Sequence, residues 1–231
     1  MQRAIPVIAS YFNKLLFRTR DTERLVETLT LSGLYKLSRY DGTLPYHERA
    51  VRALLWEVKY YASNRAVILA GEYLAELLLA EASDCVGIPL LIPMPMHAKR
   101  RRERGHNQTE VLCKAALVHL GEEKTEQKKV WKPLGFISRG RPEDFFVNSF
   151  FYAPNILRRT RHTKPQQGLE RHDRLKNLKN SMEVSDTSKI KGRICIVVDD
   201  VSTTGASFAE AKRALKAAGA SEVRTVALAQ S

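Results

Sequence analysis

The stretch that most constrains the fold is residues 194–207, which read ICIVVDDVSTTGAS. Its unbroken apolar run, 194–198, is typical of a strand buried on both faces in a parallel sheet covered by helices. Asp199 and Asp200 follow the run, and a short hydroxylated segment then opens a helical pattern. The N-terminus of a helix offers backbone N–H groups and a positive potential to an anion. We therefore predict a phosphate-binding turn with two acceptor side chains beside it.

Two carboxylates next to a phosphate site need an explanation, because they repel the phosphate. A ribose 5-phosphate provides one, since it carries an anion at one end and two adjacent hydroxyls at the other. We expect Asp199 and Asp200 to accept hydrogen bonds from the hydroxyls. The residues expected to bind the 5-phosphate are Val201, Ser202, Thr203, Thr204, Gly205, Ala206 and Ser207.

Three other interpretations of the same stretch can be compared with this one. A Walker A loop is excluded, because no Gly-Lys-Ser/Thr is present and the acidic pair precedes the loop. The stretch also matches a simple helix cap beside solvated carboxylates. The acid pocket of a receiver domain is a further alternative, but such pairs usually lie near the start of a chain and bind a metal.

Three segments, in this order along the chain, resemble the ComF/GntX-type branch of the type I phosphoribosyltransferases. Residues 194–207 resemble the ribose-phosphate signature of the superfamily. Residues 92–112, IPMPMHAKRRRERGHNQTEVL, resemble the loop and RGxNQ motif of that branch. Residues 163–184, TKPQQGLERHDRLKNLKNSMEV, are similar to its TxxQxxLxxxxRxxN segment. With residues 45–80, the likeness covers most of the chain from residue 45 onward.

The resemblance implies an α/β fold, a doubly wound and mainly parallel sheet, in a phosphoribosyltransferase-like domain of residues 45–231. Apolar residues at helical spacing in segments 4–18 and 22–37 predict an N-terminal helical extension over residues 1–44. A membrane-surface anchor is an alternative interpretation of that extension. The turn around Asp41 and Gly42 is the expected boundary.

The resemblance also implies a phosphoribosyltransferase, which binds 5-phosphoribosyl pyrophosphate with Mg²⁺ and transfers the phosphoribosyl group to an acceptor. The expected catalytic residues are Asp199, Asp200, Lys164 and Arg174. The expected pyrophosphate-binding residues are Pro95, Met96, His97, Arg104, Asn107 and Gln108. Asp199 and Asp200 are also the expected metal residues, and they would reach Mg²⁺ indirectly through water or substrate.

The chain is strongly basic, with 38 Lys and Arg against 25 Asp and Glu and a net charge of +13. Such a field favours anionic partners. The ComF resemblance therefore suggests an alternative, a non-catalytic competence protein that acts in DNA uptake through nucleotide, single-stranded DNA or partner binding. A basic DNA-binding module with a vestigial sugar-phosphate site is the third hypothesis. The charge run at 99–104 also fits a merely solvated helix face.

Three widely spaced cysteines, with no Cys-x-x-Cys, predict reduced thiols and a cytoplasmic protein without a zinc ribbon. Many ComF-type proteins carry a four-cysteine ribbon at the N-terminus. No apolar run approaches the roughly 20 residues that span a bilayer. A homodimer is also compatible with these sequence features.

Residues 121–150 mix aromatic and basic residues, and they fit either a loop packed on the core or a base-stacking surface.

Overall fold

The computed structural model describes residues 20–61, 63–122, 145–147, 150–161, 178 and 180–231. The helices are α1 (Arg20–Thr28), α2 (Leu31–Leu37), α3 (Arg49–Trp56), α4 (Asn64–Ala82), α5 (Ala98–Arg104), α6 (Gln108–Glu122) and α7 (Ala206–Ala217). The strands are β1 (Leu44–Pro45), β2 (Leu90–Pro93), β3 (Phe145–Val147), β4 (Phe150–Tyr152), β5 (Leu157–Arg159), β6 (Met182–Val184), β7 (Ile194–Ser202) and β8 (Glu222–Gln230). A π-helical turn (Glu57–Tyr61) extends α3, and a 3-10 turn (Thr187–Lys189) precedes β7.

The described strands form a main sheet in the order β1-β8-β7-β2-β4-β3 and a separate antiparallel pair, β5 and β6. Every neighbouring pair of the main sheet is parallel except β3 with β4. The unit β7–α7–β8 is a strand, helix and parallel strand, the connection that a sheet covered by helices requires. The predicted fold class, an α/β protein with a mainly parallel sheet, is confirmed.

Successive residues of β7 are buried on opposite faces of the sheet. Ile196 and Val198 pack into the cluster formed with α1 to α4 and α6. Cys195 and Val197 pack into the second cluster, with α7 and the β5–β6 pair. Because side chains alternate along a strand, a strand covered on both faces must be apolar at every position. Burial on both faces of the sheet therefore explains the apolar run of β7, as the sequence indicated.

The helical segment predicted at 22–37 consists of two helices with a break at residues 29 and 30. Thr30 begins α2, and its hydroxyl accepts a hydrogen bond from the backbone N–H of Gly33 (3.1 Å). Arg65 on α4 donates to the carbonyls of Val26 and Leu29 at the end of α1, at 3.1 and 3.0 Å. The two Arg65 bonds attach the end of α1 to α4. The helix predicted at 4–18 lies outside the described residues, so the division at residue 44 remains a prediction.

All three cysteines are free thiols, and Cys113 and Cys195 are buried. Burial raises the pKa of Cys195 to about 11, so its thiol is protonated and unreactive at neutral pH. Within the described ranges, no helix combines the length and apolar character that crossing a bilayer requires.

Helices α4 and α6 approach each other closely at Gly71. A Cβ added at Gly71 would lie 2.4 Å from the Cβ of Ala115, so a side chain at residue 71 has no room. This contact fixes how near α6 lies to α4. It therefore contributes to the position of Gln108, the first residue of α6.

We predict that Gly71→Ala lowers the free energy of unfolding by about 1–3 kcal/mol through overpacking, although alanine favours a helix. Urea denaturation followed by circular dichroism measures the change. The matched control is the double variant Gly71→Ala with Ala115→Gly, which removes the contact at 2.4 Å and should recover part of the loss, since backbone atoms of residue 115 would still lie 3.0 and 3.2 Å from the new Cβ. Equal stability of Gly71→Ala and wild type would contradict the close approach.

Candidate active site

The carboxyl ends of β2 and β7 bring two loops together at one edge of the sheet. The two strands are parallel, and Pro93 is opposite Val198 in their register. The pairing continues one residue further, since the N–H of Met94 donates to the carbonyl of Val198 at 2.7 Å. Residues 94–97 therefore lie beside Asp199, at the edge where ligands bind in sheets of this type.

Asp199 and Asp200 lie inside the last part of β7, and both side chains are partly buried. The backbone N–H of Asp200 donates to Oδ1 of Asp199, and that of Val201 donates to Oδ1 of Asp200, each at 2.9 Å. Burial raises the pKa of Asp199 well above its ordinary value, and the neighbouring charge of Asp200 raises it further. The two carboxylates are therefore adjacent acceptors that repel each other. Hydrogen bonds from hydroxyl groups, or a bound cation, would reduce that repulsion.

The phosphate turn is shorter than the sequence predicted. β7 continues through Ser202, where Val201 and Ser202 lie opposite Ala229 and Gln230 of β8. The backbone of Val201 and Ser202 is thus part of the sheet, and the turn proper spans residues 203–205. The sequence suggested an earlier end because hydroxylated residues favour turns.

Gly205 forms the junction between the turn and α7. Its φ is 72°, in the left-handed region that favours glycine, and a Cβ there would meet no atom within 4 Å. The N–H of Ala206 is 3.4 Å from Oγ1 of Thr204. Open space therefore faces a turn that ends in the first N–H groups of a helix, which is the arrangement that binds a phosphate.

A chain of three contacts connects the predicted pyrophosphate residues to the acidic pair. Nε2 of Gln108 donates to Oδ2 of Asp200 at 3.3 Å, and Oε1 of Gln108 accepts from Nη1 of Arg104 at 3.3 Å. The guanidinium of Arg104 lies over the ring of Tyr60, 5.4 Å from its centroid. The structure thus brings Arg104, Gln108 and Asp200 together.

Two tyrosines beside this chain of contacts were not identified from the sequence. Tyr46 follows β1 directly, and its N–H donates to the carbonyl of Gln230 at 2.9 Å. Burial raises the pKa of Tyr46, and the charge of Asp200 raises it further, so the phenol lies near that carboxylate. Tyr60 belongs to the π-helical turn, where its ring centroid is 4.2 Å from that of Trp56. A π-helical turn inserts an extra residue, which shifts the helical spacing that sequence patterns rely on.

Asn107 differs from the other residues predicted to bind pyrophosphate, because its side chain makes hydrogen bonds inside the protein. It is 3% exposed, and Nδ2 donates to the carbonyl of Met94 at 3.1 Å. Its Oδ1 accepts from the N–H and the hydroxyl of Thr109, so the Asn107 side chain caps the start of α6. Thr109 also donates to the carbonyl of Met94, at 2.9 Å. These bonds hold the 94–97 loop against the start of α6.

The other residues predicted to bind pyrophosphate lie in the loop before α5. Pro95, Met96 and His97 are all partly exposed at the sheet edge. Nδ1 of His97 accepts from the N–H of Lys99 at 3.2 Å and so caps α5. Lys164 and Arg174, the two catalytic residues predicted in the basic segment, lie outside the described residues.

Helix α7 is attached to β6 through Glu210, which is 5% exposed. Oε1 of Glu210 accepts from the backbone N–H groups of Ser181 and Met182, at 2.8 and 3.1 Å. Arg213 donates both to Glu210, at 2.9 Å, and to the carbonyl of Met182, at 3.0 Å. The helix that begins at the phosphate turn therefore also fixes the β5–β6 pair.

The oxygen donors of Asp199 and Asp200 fit Mg²⁺, which prefers oxygen and usually keeps several waters. Among the described residues, no group of three or more His, Cys, Asp or Glu side chains is arranged to hold a metal. A metal that is bound partly by the phosphates of a substrate needs only one or two protein carboxylates. The donor set thus matches a substrate-chelated ion rather than a closed protein cage.

Comparison with known proteins gives one matched domain and several similar proteins. Residues 150–231 match the phosphoribosyl transferase domain. The chain is 28% identical over 141 residues to competence protein F of Haemophilus influenzae, a match that covers 61% of this chain and 49% of that protein. It is 28% identical over 165 residues to the DNA utilization protein YhgH of Salmonella typhi, covering 70% of this chain and 59% of that protein. It is 27% identical over 177 residues to YhgH of Escherichia coli K12, a match that covers 74% of this chain and 63% of that protein.

The parallel sheet, the acidic strand end and the turn into α7 together define a phosphoribosyltransferase-type domain, in agreement with the domain match. The similarity to competence protein F and YhgH narrows the resemblance to ComF-type proteins. The matched part spans about half to three fifths of the length of these relatives.

We predict that Glu210→Gln lowers the free energy of unfolding at pH 7 by about 1–3 kcal/mol. Burial alone would raise the pKa of Glu210, but hydrogen bonds from Arg213 and the backbone N–H of Met182 bring it below its ordinary value. A carboxyl with a lowered folded pKa stabilises the protein above its unfolded pKa, and the stabilisation is lost as the pH falls through the folded value.

The difference in free energy of unfolding between wild type and Glu210→Gln should therefore be largest at neutral pH, and it should disappear as the pH falls below about 4. Urea denaturation at several pH values measures it. The control is Glu76→Gln, an exposed carboxylate on α4. A gap that does not change with pH would mean that the charge of Glu210 contributes nothing.

Proposed function

We propose that the protein binds 5-phosphoribosyl pyrophosphate with Mg²⁺ and transfers the phosphoribosyl group to an acceptor. The observation that carries this proposal is the acidic pair at the end of β7, followed directly by the open turn at Gly205. A ligand that is a diol at one end and a phosphate at the other matches both features. The match of residues 150–231 to the phosphoribosyl transferase domain supports the same ligand class.

In this proposal the turn at 203–205 and the first N–H groups of α7 bind the 5-phosphate. Asp199 and Asp200 accept from the ribose hydroxyls, with Gln108 holding one oxygen of Asp200 in place. Arg104 and the 94–97 loop bind the pyrophosphate, while Asn107 shapes that loop from inside. Lys164 and Arg174 remain proposed from the resemblance alone.

Transfer would break the bond between C1 of the ribose and the pyrophosphate oxygen, through a transition state with positive charge on the ring. The negative field of Asp199 and Asp200 favours that charge, and the arginines stabilise the negative charge that develops on the leaving group. Mg²⁺, when bound by substrate and acidic pair, adds charge neutralisation of the pyrophosphate. Partly buried carboxylates act more strongly here than exposed ones, because little water screens them.

We predict that Asp199→Asn combined with Asp200→Asn weakens binding of Mg²⁺–phosphoribosyl pyrophosphate by at least about 100-fold. Each hydrogen bond to a charged group contributes about 1.5–3 kcal/mol, and two are removed. Isothermal titration calorimetry measures the affinity, and Glu76→Gln is the control. Ribose 5-phosphate without metal is a second probe, because it tests the diol contact separately from magnesium. Undiminished binding of both ligands would refute the proposed roles of the two aspartates.

A second candidate function is nucleic-acid binding, and one feature of α5 favours it. Lys99, Arg100 and Arg102 are all exposed on this short helix, whereas Arg101 forms two hydrogen bonds with Glu110, at 2.7 and 2.9 Å. One of the similar proteins, YhgH, is named a DNA utilization protein. A basic surface of this kind binds a phosphate backbone without reading its sequence.

We predict that single-stranded DNA binds with an affinity that falls steeply with salt, and that Lys99→Gln with Arg102→Gln reduces the salt slope. The expected change in slope is about 1.4 units, because two phosphate contacts on a single strand contribute roughly 0.7 each. Fluorescence anisotropy at several salt concentrations measures it. Lys36→Gln with Lys212→Gln removes the same charge from other exposed positions. Equal effects of the two double variants would show that only net charge matters.

A further inference from the structure

A groove lies where the break between α1 and α2 meets the first half of α4. Its volume is about 420 Å³, and four of its lining side chains are apolar: Leu29, Leu31, Ile68 and Leu69. Ile68 is 49% exposed, although isoleucine is among the residues most often buried. Apolar side chains grouped in a concave surface are typical of a site that another segment covers.

The polar groups of the lining indicate what kind of segment fits the groove. The guanidinium of Arg65 already donates to two backbone carbonyls at the end of α1, at 3.1 and 3.0 Å. The hydroxyl of Thr30 already accepts from the N–H of Gly33 at 3.1 Å. Glu72 is the remaining charged residue of the lining. The groove therefore offers its occupant an apolar surface and a negative charge.

Residues 1–19 lie outside the described residues, and their sequence complements the groove. Their charged residues are three cations: Arg3, Lys14 and Arg18. The apolar stripe of the helix predicted at 4–18 consists of Ile5, Ile8, Phe12, Leu15 and Leu16. A helix of this length is marginal in water unless its apolar face packs against a partner. A basic amphipathic helix therefore needs the kind of surface that the groove provides.

The length of the chain allows this segment to reach the groove. The segment ends where α1 begins, at Arg20, and the groove lies at the other end of α1. At 1.5 Å per residue, α1 is about 13 Å long and a helix over 4–18 would be about 22 Å long. If the chain turns back before Arg20 and follows α1, residues 8 and 12 come level with the end of α1. Two residues of the apolar stripe would therefore lie beside the groove.

We propose that residues 4–18 form a helix that packs into this groove of the same molecule. The apolar stripe covers Ile68 and Leu69, and the cations of the segment lie around Glu72. Burial of the stripe against α4 removes it from water and stabilises the helix. The segment is then a part of the folded protein and does not act as a membrane anchor. This inference concerns the N-terminal extension and does not depend on the proposed function.

Hydrogen–deuterium exchange of the full chain, followed by mass spectrometry, tests the proposal. We expect the amides of residues 8–16 to exchange at least about 10-fold more slowly than in an unstructured chain, because burial of one large apolar side chain corresponds to at least that factor. Ile68→Asn should abolish most of this protection. The matched control is Leu79→Asn, which changes a 37% exposed leucine of the same helix that does not line the groove.

Variants of the segment test the same contact from the other side. Phe12→Asn should abolish the protection, whereas Ser10→Asn should keep it, because residue 10 falls on the opposite side of the helical projection. Glu72→Lys should weaken the protection, and Lys14→Glu in the same chain should recover part of it. Exchange in β7 and β8 should be the same in every variant, which shows that each one is folded.

The other possible occupants of the groove give different results. Protection that increases with protein concentration would assign the groove to a second copy of the chain. Protection that requires vesicles of phosphatidylcholine and phosphatidylglycerol would assign the segment to an anionic membrane. Either result overturns the proposal, as does exchange at the unstructured rate in the wild type or equal loss of protection in Ile68→Asn and Leu79→Asn. Protection that needs neither vesicles nor high concentration, and that is lost in Ile68→Asn and Phe12→Asn, supports it.

Discussion

The repulsion between Asp199 and Asp200 is the constraint on which the rest of the site depends. Two carboxylates on successive residues of a partly buried strand raise each other's energy, and burial adds to the cost. The surrounding groups offset it: two backbone N–H groups, the amide of Gln108 and the positive charge of Arg159. Such an arrangement gives no benefit to folding, since well-packed apolar residues would be more stable. Its persistence at the end of the central strand is therefore an argument for function.

The groups that serve this pair come from opposite faces of the sheet. On one face, the close approach of α4 and α6 at Gly71 positions the start of α6, and with it Gln108 and Arg104. On the other face, α7 holds the β5–β6 pair through Glu210 and Arg213. Ordinary core packing thus determines the placement of polar groups that never enter the core. This explains how a site at a sheet edge is built from segments distant in sequence.

The sequence predicted those features whose cause is local. The apolar run of β7, the acidic pair and the glycine before α7 each have a signature in adjacent residues. The end of the strand was wrong by four residues, because pairing with β8 extends β7 through hydroxylated residues that favour turns in isolation. Tyr60 and Arg159 could not be identified, since their positions depend on a π-helical turn and on the register of a three-residue strand. Asn107 was predicted to bind the ligand because it belongs to a polar motif, but its side chain makes hydrogen bonds to Met94 and Thr109 instead.

Helix α7 has a consequence for how a complete ligand is recognised. One end of this helix opens at the phosphate turn, and its second turn carries the glutamate that secures the strand pair of Arg159. In the proposed complex, the helix that binds the 5-phosphate therefore also holds the β5–β6 pair through Glu210. Under that proposal the two parts of the site share one stiff support, so a truncated ligand should lose more affinity than the contacts it lacks.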